Sequence, residues 1–522
     1  MSFTFQINDG LTFHHDEYLL NKAEENKPVL HKQTVTSSQL CTLMKDETKL
    51  EGYTTKTIDT VIESLKMKKD DTIIIDFHTH YIGHFSIDID HTGSPMDSPL
   101  YIRLRFAEVP AELAHQSDEY DGWLARGWIQ EEYIHLDELP AHLSLPRRYA
   151  FRYVEIKVID TSPKWQVIFS HPTVVAESSG DDQQCKTFAL DDQALQKIYD
   201  VGVKTLHDCM TDVFEDGPKR DRRLWLGDLY LQAKANYVTY GNKELVKRCL
   251  YLFAGTTVDD GRISANVFVK PKVVPDDTFL FDYSLFFITT LYDYQQVYHE
   301  KELLDDLYPI AKKQMDYSLQ FVHDGLLTCP KDYPVFVDWS NEFNKDTCAQ
   351  VIMIYALKQF IALGAQQNEE MESYTEILEK MIAYTKEHLY DASRHLFKAL
   401  DGSYNIATQS WAVLAGIFPM EENKKIMQAC IHDLFPIRNI ATPYMYHYIT
   451  EALFISGLHD EAIKLIKNYW GKMIDLGADT YWEAFDVDQP DYSPYGSPII
   501  SSYCHAWGCG VVYLLNKYMK ED

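Results

Sequence analysis

The spacing of apolar residues changes once along this chain, near residue 185, and that change dictates two kinds of architecture. Before it, TIIIDF (72–77), FSIDID (85–90), LYIRLRFAEV (100–109), RYVEIKVID (152–160) and WQVIFS (165–170) alternate apolar with polar positions or are rich in β-branched residues. Pro, Gly and Asp punctuate them, and period-two runs of this kind read as strands with one face in a core. Several strands without a helical pattern between them predict a sandwich of antiparallel sheets over residues 1–185. The polar stretch SSGDDQQCKT (178–187) marks the boundary.

Beyond it the period becomes helical. LDDQALQKIYDVGVKTLHDCM (190–210) spaces apolar residues by three and four, with Asp191 and Asp192 near the positive end of the helix dipole. Further segments of this kind begin near residues 225, 243, 282, 302, 347, 370, 405, 421, 443, 458 and 502, separated by short loops rich in Asp, Gly or Pro. Paired helices with short links bury their apolar stripes either in an open solenoid or in a closed ring. No repeat of roughly 30–45 residues is visible, which argues against the solenoid. Six hairpins closed into an (α/α)6 barrel over residues 186–522 are therefore predicted, giving an α+β chain of two domains.

A net charge of -29 argues against nucleic acid and against an anionic membrane surface as partners. The first twenty residues lack the basic start and apolar run of a secretory signal, and no stretch of about 18 uninterrupted apolar residues predicts a membrane span. The nine cysteines are scattered without a C-x-x-C pair, as in a reduced, cytoplasmic protein. No EF-hand-like loop occurs, and no cofactor is predicted. A homo-oligomer is compatible with the chain and is not specified by it.

The densest group of charges is VFEDGPKRDRRLWLGDLYLQAKANY (213–237), where Asp216, Asp221 and Asp228 surround a helix–loop–helix junction. Gly217-Pro218 breaks the first helix, Trp225 opens an apolar run and Gly227 permits close backbone approach. A charged loop with internal ion pairs is the plain alternative. Glycoside hydrolysis needs two carboxyl groups, one to protonate the leaving oxygen and one to act as nucleophile or to activate water. Clustering raises the pKa of one carboxyl, while Lys219, Arg220, Arg222 and Arg223 oppose that shift. The second candidate is GADTYWEAFD (477–486), in which Glu483 lies between Trp482 and Phe485; downstream, SSYCHAWGCG (501–510) brings His505 and Trp507 to the start of the last helix. FDYSLFF (281–287) and VFVDWSNEF (335–343) supply acid-and-ring pairs at Asp282 with Tyr283 and at Asp338 with Trp339. One competing motif is the His-x-His of IIIDFHTHYIGH (73–84), an arrangement that opens metal-dependent amidohydrolase barrels. The alternating β/α units that reading requires do not follow, so His78 and His80 are expected on one face of a strand.

DGPKRDRRLWLGD resembles the signature of the α-L-rhamnosidases of glycoside hydrolase family 78. The resemblance implies that Asp221 is the general acid, with Asp216 and Asp228 in register around Trp225 and Gly227. GADTYWEAFD resembles the family's Thr-x-Trp-Glu segment, which implies Glu483 as general base, and SSYCHAWGCG its Ser-x-x-His segment at His505. VDWS matches its Asp-Trp at Asp338 and Trp339, and RRYAFRYVEIKV its β-domain strand. The order and spread of these motifs over residues 70–520 imply an inverting exo-glycosidase acting on terminal α-L-rhamnosyl groups without a catalytic metal. Sugar hydroxyls would then be held by Asp216, Arg220, Asp228, Asp282 and Asp338, with Trp225, Trp339 and Trp482 as walls and His505 in support. Two departures stand out: the acid position holds Asp221 where the family has Glu, and Arg222 and Arg223 crowd it. The residues themselves leave open another helical-barrel glycosidase or lyase, or a sugar-binding protein without activity.

Overall fold

The computed structural model describes residues 10–520. The reading that the chain does not open with a secretory signal falls in part on residues 1–9, outside the described residues. Among the described residues, nine strands form one antiparallel sheet: β1 (His31–Val35), β2 (Gln39–Lys45), β3 (Tyr53–Ile58), β4 (Thr72–Gly93), β5 (Leu100–Ala107), β6 (Glu131–Leu136), β7 (Ala141–Ser144), β8 (Tyr149–Asp160) and β9 (Trp165–Ser178). The main order is β1-β9-β4-β8-β5-β6, with β2 joining β3 to β4, and β7 paired to β4. Strand β4 is 22 residues long. Its first part pairs with β2 and β8, and its second part with β9 and β7.

The expected sandwich of separate sheets is thus one hydrogen-bonded sheet, because TIIIDF and FSIDID are two ends of a single strand. The polar residues between them make a bulge, not a break: the register against β8 shifts between Asp76 and Tyr81. His78 sits in that bulge with φ +72. The bulge breaks the period-two rule, so His78 is exposed while His80 is fully buried, and the two do not share a face. Phe77, Phe85, Phe106 and Phe151 pack edge to face in the core beneath.

Among the described residues twelve helices of eight or more residues follow: α1 (Gln193–Cys209), α2 (Leu226–Val238), α3 (Lys243–Ala254), α4 (Phe281–Tyr298), α5 (Lys301–Leu319), α6 (Asp346–Gln366), α7 (Glu372–Tyr384), α8 (Ile406–Leu414), α9 (Met420–Asp433), α10 (Pro443–Ile455), α11 (His459–Ile466) and α12 (Gly510–Tyr518). Asp192 caps α1 by accepting from the N–H groups of Ala194 and Leu195. The last helix begins later than the period suggested. Residues 502–505 are a loop, and a 3₁₀ turn at Ala506–Cys509 precedes α12. The even-numbered helices pack in succession, α2 on α4, α6, α8, α10 and α12, and α12 packs back on α2. Helices α4, α6, α8 and α10 are apolar on nearly every face, as a helix enclosed on all sides must be. Among the described residues α6 alone is long and apolar enough to cross a membrane, but 67% of its most apolar window is buried inside the fold, as in a core helix.

Buried ion pairs fasten the sheet to the helical part beside the site. His80 Nδ1 lies 2.7 Å from Asp208 Oδ2 and its Nε2 lies 3.1 Å from Glu108 Oε1. Glu108 Oε2 accepts the Tyr503 N–H at 2.6 Å. Glu112 accepts from Lys219 at 2.5 Å, and Lys219 also donates to the Ser501 carbonyl at 2.8 Å. Burial by itself disfavours the His80 cation, but Cys504, Asp208 and Glu108 outweigh it and raise the pKa. A raised folded pKa makes this contribution complete below the ordinary histidine range and removes it as pH rises through the folded value. His80→Ala leaves the buried Glu108 carboxylate without its cation, while Asp208 keeps Lys204, and is expected to cost about 3–5 kcal/mol in chemical denaturation at pH 6. The deficit relative to wild type should shrink on going to alkaline pH; a deficit that does not change with pH would mean that His80 is buried neutral.

Candidate active site

The site lies where the loop between α1 and α2 meets the segments 480–483 and 495–507. Residues 209–220 are buried throughout, so this loop must find internal partners for its backbone. The Asp216 and Ala506 backbones bond at 2.7 Å, and the Arg223 N–H donates to Asp216 Oδ1 at 3.0 Å. Leu224–Trp225 pairs with Asn266–Val267 and turns the chain into α2. At Gly227 a Cβ would stand 2.4 Å from the Tyr283 ring, so only glycine admits this approach of α2 to α4.

Arg220 is the hub. Its guanidinium donates to Asp221 Oδ1 at 3.2 Å through one terminal nitrogen and to Glu483 Oε2 through the other, while Nε donates to the Ile500 carbonyl at 3.1 Å. The Tyr495 ring lies under the guanidinium, 4.1 Å from it, and the Tyr495 hydroxyl donates to Glu483 Oε1. Both oxygens of Glu483 are therefore held, and its backbone carbonyl accepts from Trp507 Nε1 at 2.9 Å. Burial raises the Glu483 pKa despite the opposition of Arg220 and Tyr495, with Asp221 adding to the rise.

Asp216 and Asp228 are pushed well above the ordinary carboxylate range. Burial is the main cause for both; Asp221 and Asp228 add to it at Asp216, and Glu483 and Asp221 at Asp228. Burial and then the Arg220 charge hold His505 well below its ordinary value. A neutral imidazole at 3.5 Å from Asp228 Oδ1 and 4.0 Å from Asp216 Oδ2 makes no ion pair with either, and neither distance is a good hydrogen bond. The sequence left open whether the arginines or the clustered acids win; burial decides for the acids at Asp216, Asp228 and Glu483.

A run of aromatic side chains borders these acids. Trp225 meets Tyr283 at 6.2 Å, Tyr283 meets Tyr444 at 6.5 Å, Tyr444 meets Trp507 at 5.6 Å, and Trp507 meets His505 at 4.3 Å. Along this run Asp228 Oδ1, His505 Nδ1, Trp225 Nε1 and the Tyr444 hydroxyl are buried without a hydrogen-bond partner in the protein. Each such atom costs stability unless a ligand satisfies it.

Residues 183–519 match the model of the bacterial α-L-rhamnosidase six-hairpin glycosidase domain. The chain belongs to the α-L-rhamnosidases of glycoside hydrolase family 78. Residues 37–176 of this family 78 enzyme match the model of the family's α-rhamnosidase N-terminal domain. The chain is similar to a solved rhamnosidase from Klebsiella oxytoca with rhamnose bound, at 39% identity and a TM-score of 0.94, over 98% of this chain and 100% of that one. A family 78 rhamnosidase from Bacillus sp. GL1 shares the fold at 19% identity and a TM-score of 0.72, over 89% of this chain and 49% of that one. An α-L-rhamnosidase of Streptomyces avermitilis is 23% identical over 305 residues, which are 56% of this chain but only 28% of that longer protein.

The residues picked out from the sequence sort into three groups in the family 78 enzyme. Asp216, Arg220, Asp221, Asp228, Glu483 and His505 come together as described, and Trp225 is in the aromatic run. Asp338 is buried, accepting from the Thr442 hydroxyl and, at 2.9 Å, from the Ser340 N–H; burial raises its pKa to about 6. Trp339 meets the Tyr495 ring edge-on at 6.0 Å. Two residues have other duties. Asp282 accepts from the N–H groups of Phe336 and Val337, each at 2.9 Å, and so shapes the 336–339 turn. Trp482 packs edge-on against Phe485 and Tyr503, inside the core and not among the pocket rings. Tyr495, Phe336 and Tyr444 belong to the site and were not picked out; DYSPYGSP gives no sign that its second tyrosine bonds a carboxylate.

Among the described residues one group of side chains has metal-binding chemistry: donor atoms of His80, Asp208 and Cys504 lie within 4.8 Å of one another. Asp208 already accepts from His80 at 2.7 Å, from Lys204 at 2.7 Å and from His207 at 3.0 Å. The Lys204 ammonium thus supplies the positive charge that a metal ion would bring.

Proposed function

We propose that this family 78 enzyme is an exo-acting, inverting hydrolase of terminal α-L-rhamnosyl groups, with the ring of even-numbered helices read as the inner wall of an (α/α)6 barrel. The observation that carries the mechanism is Arg220, which holds Asp221 on one terminal nitrogen and Glu483 on the other. The two carboxyls meet at one guanidinium and so face a common space, and inversion asks for about 6.5–9.5 Å between them, room for a water at the anomeric carbon. Asp221 protonates the leaving oxygen, and Glu483 takes a proton from the attacking water. Asp216 and Asp228, shifted towards the neutral acid, each offer a donor and an acceptor to sugar hydroxyls. The unpartnered atoms along the run fit a polyol, and the Tyr283, Tyr444 and Trp507 faces fit the apolar side of a deoxy sugar. The rhamnose bound to the Klebsiella oxytoca relative supports that choice of sugar.

Exo action is supported by exposure. The Asp221 side chain is 20% accessible, against 5% for Glu483, 6% for Asp216 and 2% for Asp228. The proton donor is the most exposed of the four acids, so the leaving group points outward. The nine free cysteines support a reduced, cytoplasmic setting. Hydrolysis of an aryl α-L-rhamnoside followed by proton NMR tests the reading. β-L-Rhamnose is expected as the first product; initial α-L-rhamnose would overturn inversion, and no turnover would overturn the activity.

A further inference from the structure

The carboxyl of Glu483 is held by a side chain from outside its own segment. Tyr495 stands twelve residues further on, and its hydroxyl donates to Glu483 Oε1. The face of the same ring lies 4.1 Å from the Arg220 guanidinium, which donates to the other Glu483 oxygen. One buried phenol thus touches both the acid and the cation that bridges the two acids. Its own place is fixed from both parts of the chain. Its N–H donates to Ser493 Oγ at 3.2 Å, and that hydroxyl bonds Ser501 Oγ at 2.7 Å. Trp339 meets the ring at 6.0 Å, and Tyr495 shares a buried cluster with Ile499, Ile500 and Tyr120. Tyr120 and Trp123 belong to the loop that follows the short helix Pro110–Ala114 in the sheet part. Trp123 Nε1 donates to the Pro494 carbonyl at 3.3 Å, and its ring lies 5.6 Å from that of Tyr495. A donor set in place before the reaction needs no reorganisation during it.

We propose that Tyr495 is a positioning residue for the water-activating step: its hydroxyl keeps the Glu483 carboxyl ionised and unable to rotate, and its ring keeps Arg220 between the two acids. This rests on the hydrolase reading given above. An ionised carboxyl has about four acceptor sites, and Tyr495 and Arg220 take one on each oxygen. The sites left over serve the water, in a plane that the two donors fix. As the water oxygen bonds the anomeric carbon, its proton passes to Glu483 and Asp221 protonates the departing oxygen. The phenol proton stays on Tyr495. Burial, with Glu483 and Asp221 adding to it, outweighs Arg220 and pushes the phenol well above its ordinary value, so it remains a donor. At Glu483 the phenol and Arg220 oppose burial and Asp221; Asp228 and Tyr492 are the other titratable groups that face it among the described residues. Deleting the hydroxyl therefore leaves Arg220 alone to hold the charge.

Profiles of kcat against pH on an aryl α-L-rhamnoside test this in wild type, Tyr495→Phe and Tyr495→Leu. The phenylalanine keeps a ring under Arg220 and deletes only the donor. Its acid limb should move up by about one pH unit or more, the scale of one hydrogen bond to a charged group. Its alkaline limb should stay in place, since Glu483 is ionised there with or without the phenol. Its maximal kcat should fall about tenfold while KM changes by less than about threefold, because the phenol orients the base and does not bind the sugar. Tyr495→Leu also removes the ring and should lose about a further tenfold in kcat through Arg220. An acid limb that does not move in Tyr495→Phe, whatever the loss in rate, would make Tyr495 a packing residue and overturn the proposal. A wild type without turnover would fail the hydrolase reading and this role together, whereas an unmoved limb in an active enzyme overturns the role alone.

Discussion

Glu483→Gln should lower kcat on an aryl α-L-rhamnoside by about 10³-fold, the usual scale for losing a general base. The side chain is already committed: Arg220 donates to one oxygen and Tyr495 to the other. A glutamine offers one acceptor and one donor, so its NH₂ must face either the guanidinium or the phenol. The variant therefore loses both the base and the geometry of its neighbours, while the backbone bond from Trp507 Nε1 to the residue 483 carbonyl is kept. The melting temperature should move little compared with the rate. The pH profile gives an independent check. A base acts when deprotonated, and burial has raised the Glu483 pKa. The acid limb of the bell-shaped profile should therefore fall, as pH drops, at a value above that of an ordinary glutamate, while the alkaline limb belongs to the general acid. A variant rate within tenfold of wild type would remove Glu483 from the role.

What could be read from the sequence, and what could not, divides along physical lines. The helical period, the breaks at Gly217-Pro218 and the Asp192 cap located α1 and α2 because those signals are local. The acid segments were legible because Asp216, Asp221, Asp228 and Glu483 sit with Trp and Gly in patterns that a solvating loop seldom needs. Pairings set by distant chain were not legible. Asp282 and Asp338 look alike in sequence, each beside an aromatic residue, yet Asp282 caps the N–H groups of residues 336 and 337. Tyr495 could not be told from a core tyrosine, since its bond to Glu483 depends on how residues 486–501 return to the pocket. The His-x-His motif obeyed neither a metal nor a strand rule, because the bulge after Asp76 turned His78 out and His80 in.

Asp221→Asn should separate proton donation from sugar binding, and this matters most at the position where the family's glutamate is replaced. On a flavonol or alkyl α-L-rhamnoside, whose leaving oxygen must be protonated, kcat is expected to fall by about 10³-fold. On α-L-rhamnosyl fluoride, which leaves without a general acid, the loss should be closer to about tenfold, reflecting the missing charge and not the missing proton. The side chain suits the task by position. It is one methylene shorter than glutamate, but it is carried on the same loop as Arg220, whose Nη1 touches it at 3.2 Å. Fixing the carboxyl through that contact lets a short side chain stand where a longer one would need no support. Equal losses on both substrates would make Asp221 a sugar-holding group. The proton would then have to come from Asp216 or Asp228, the two acids that burial has pushed furthest towards their protonated forms.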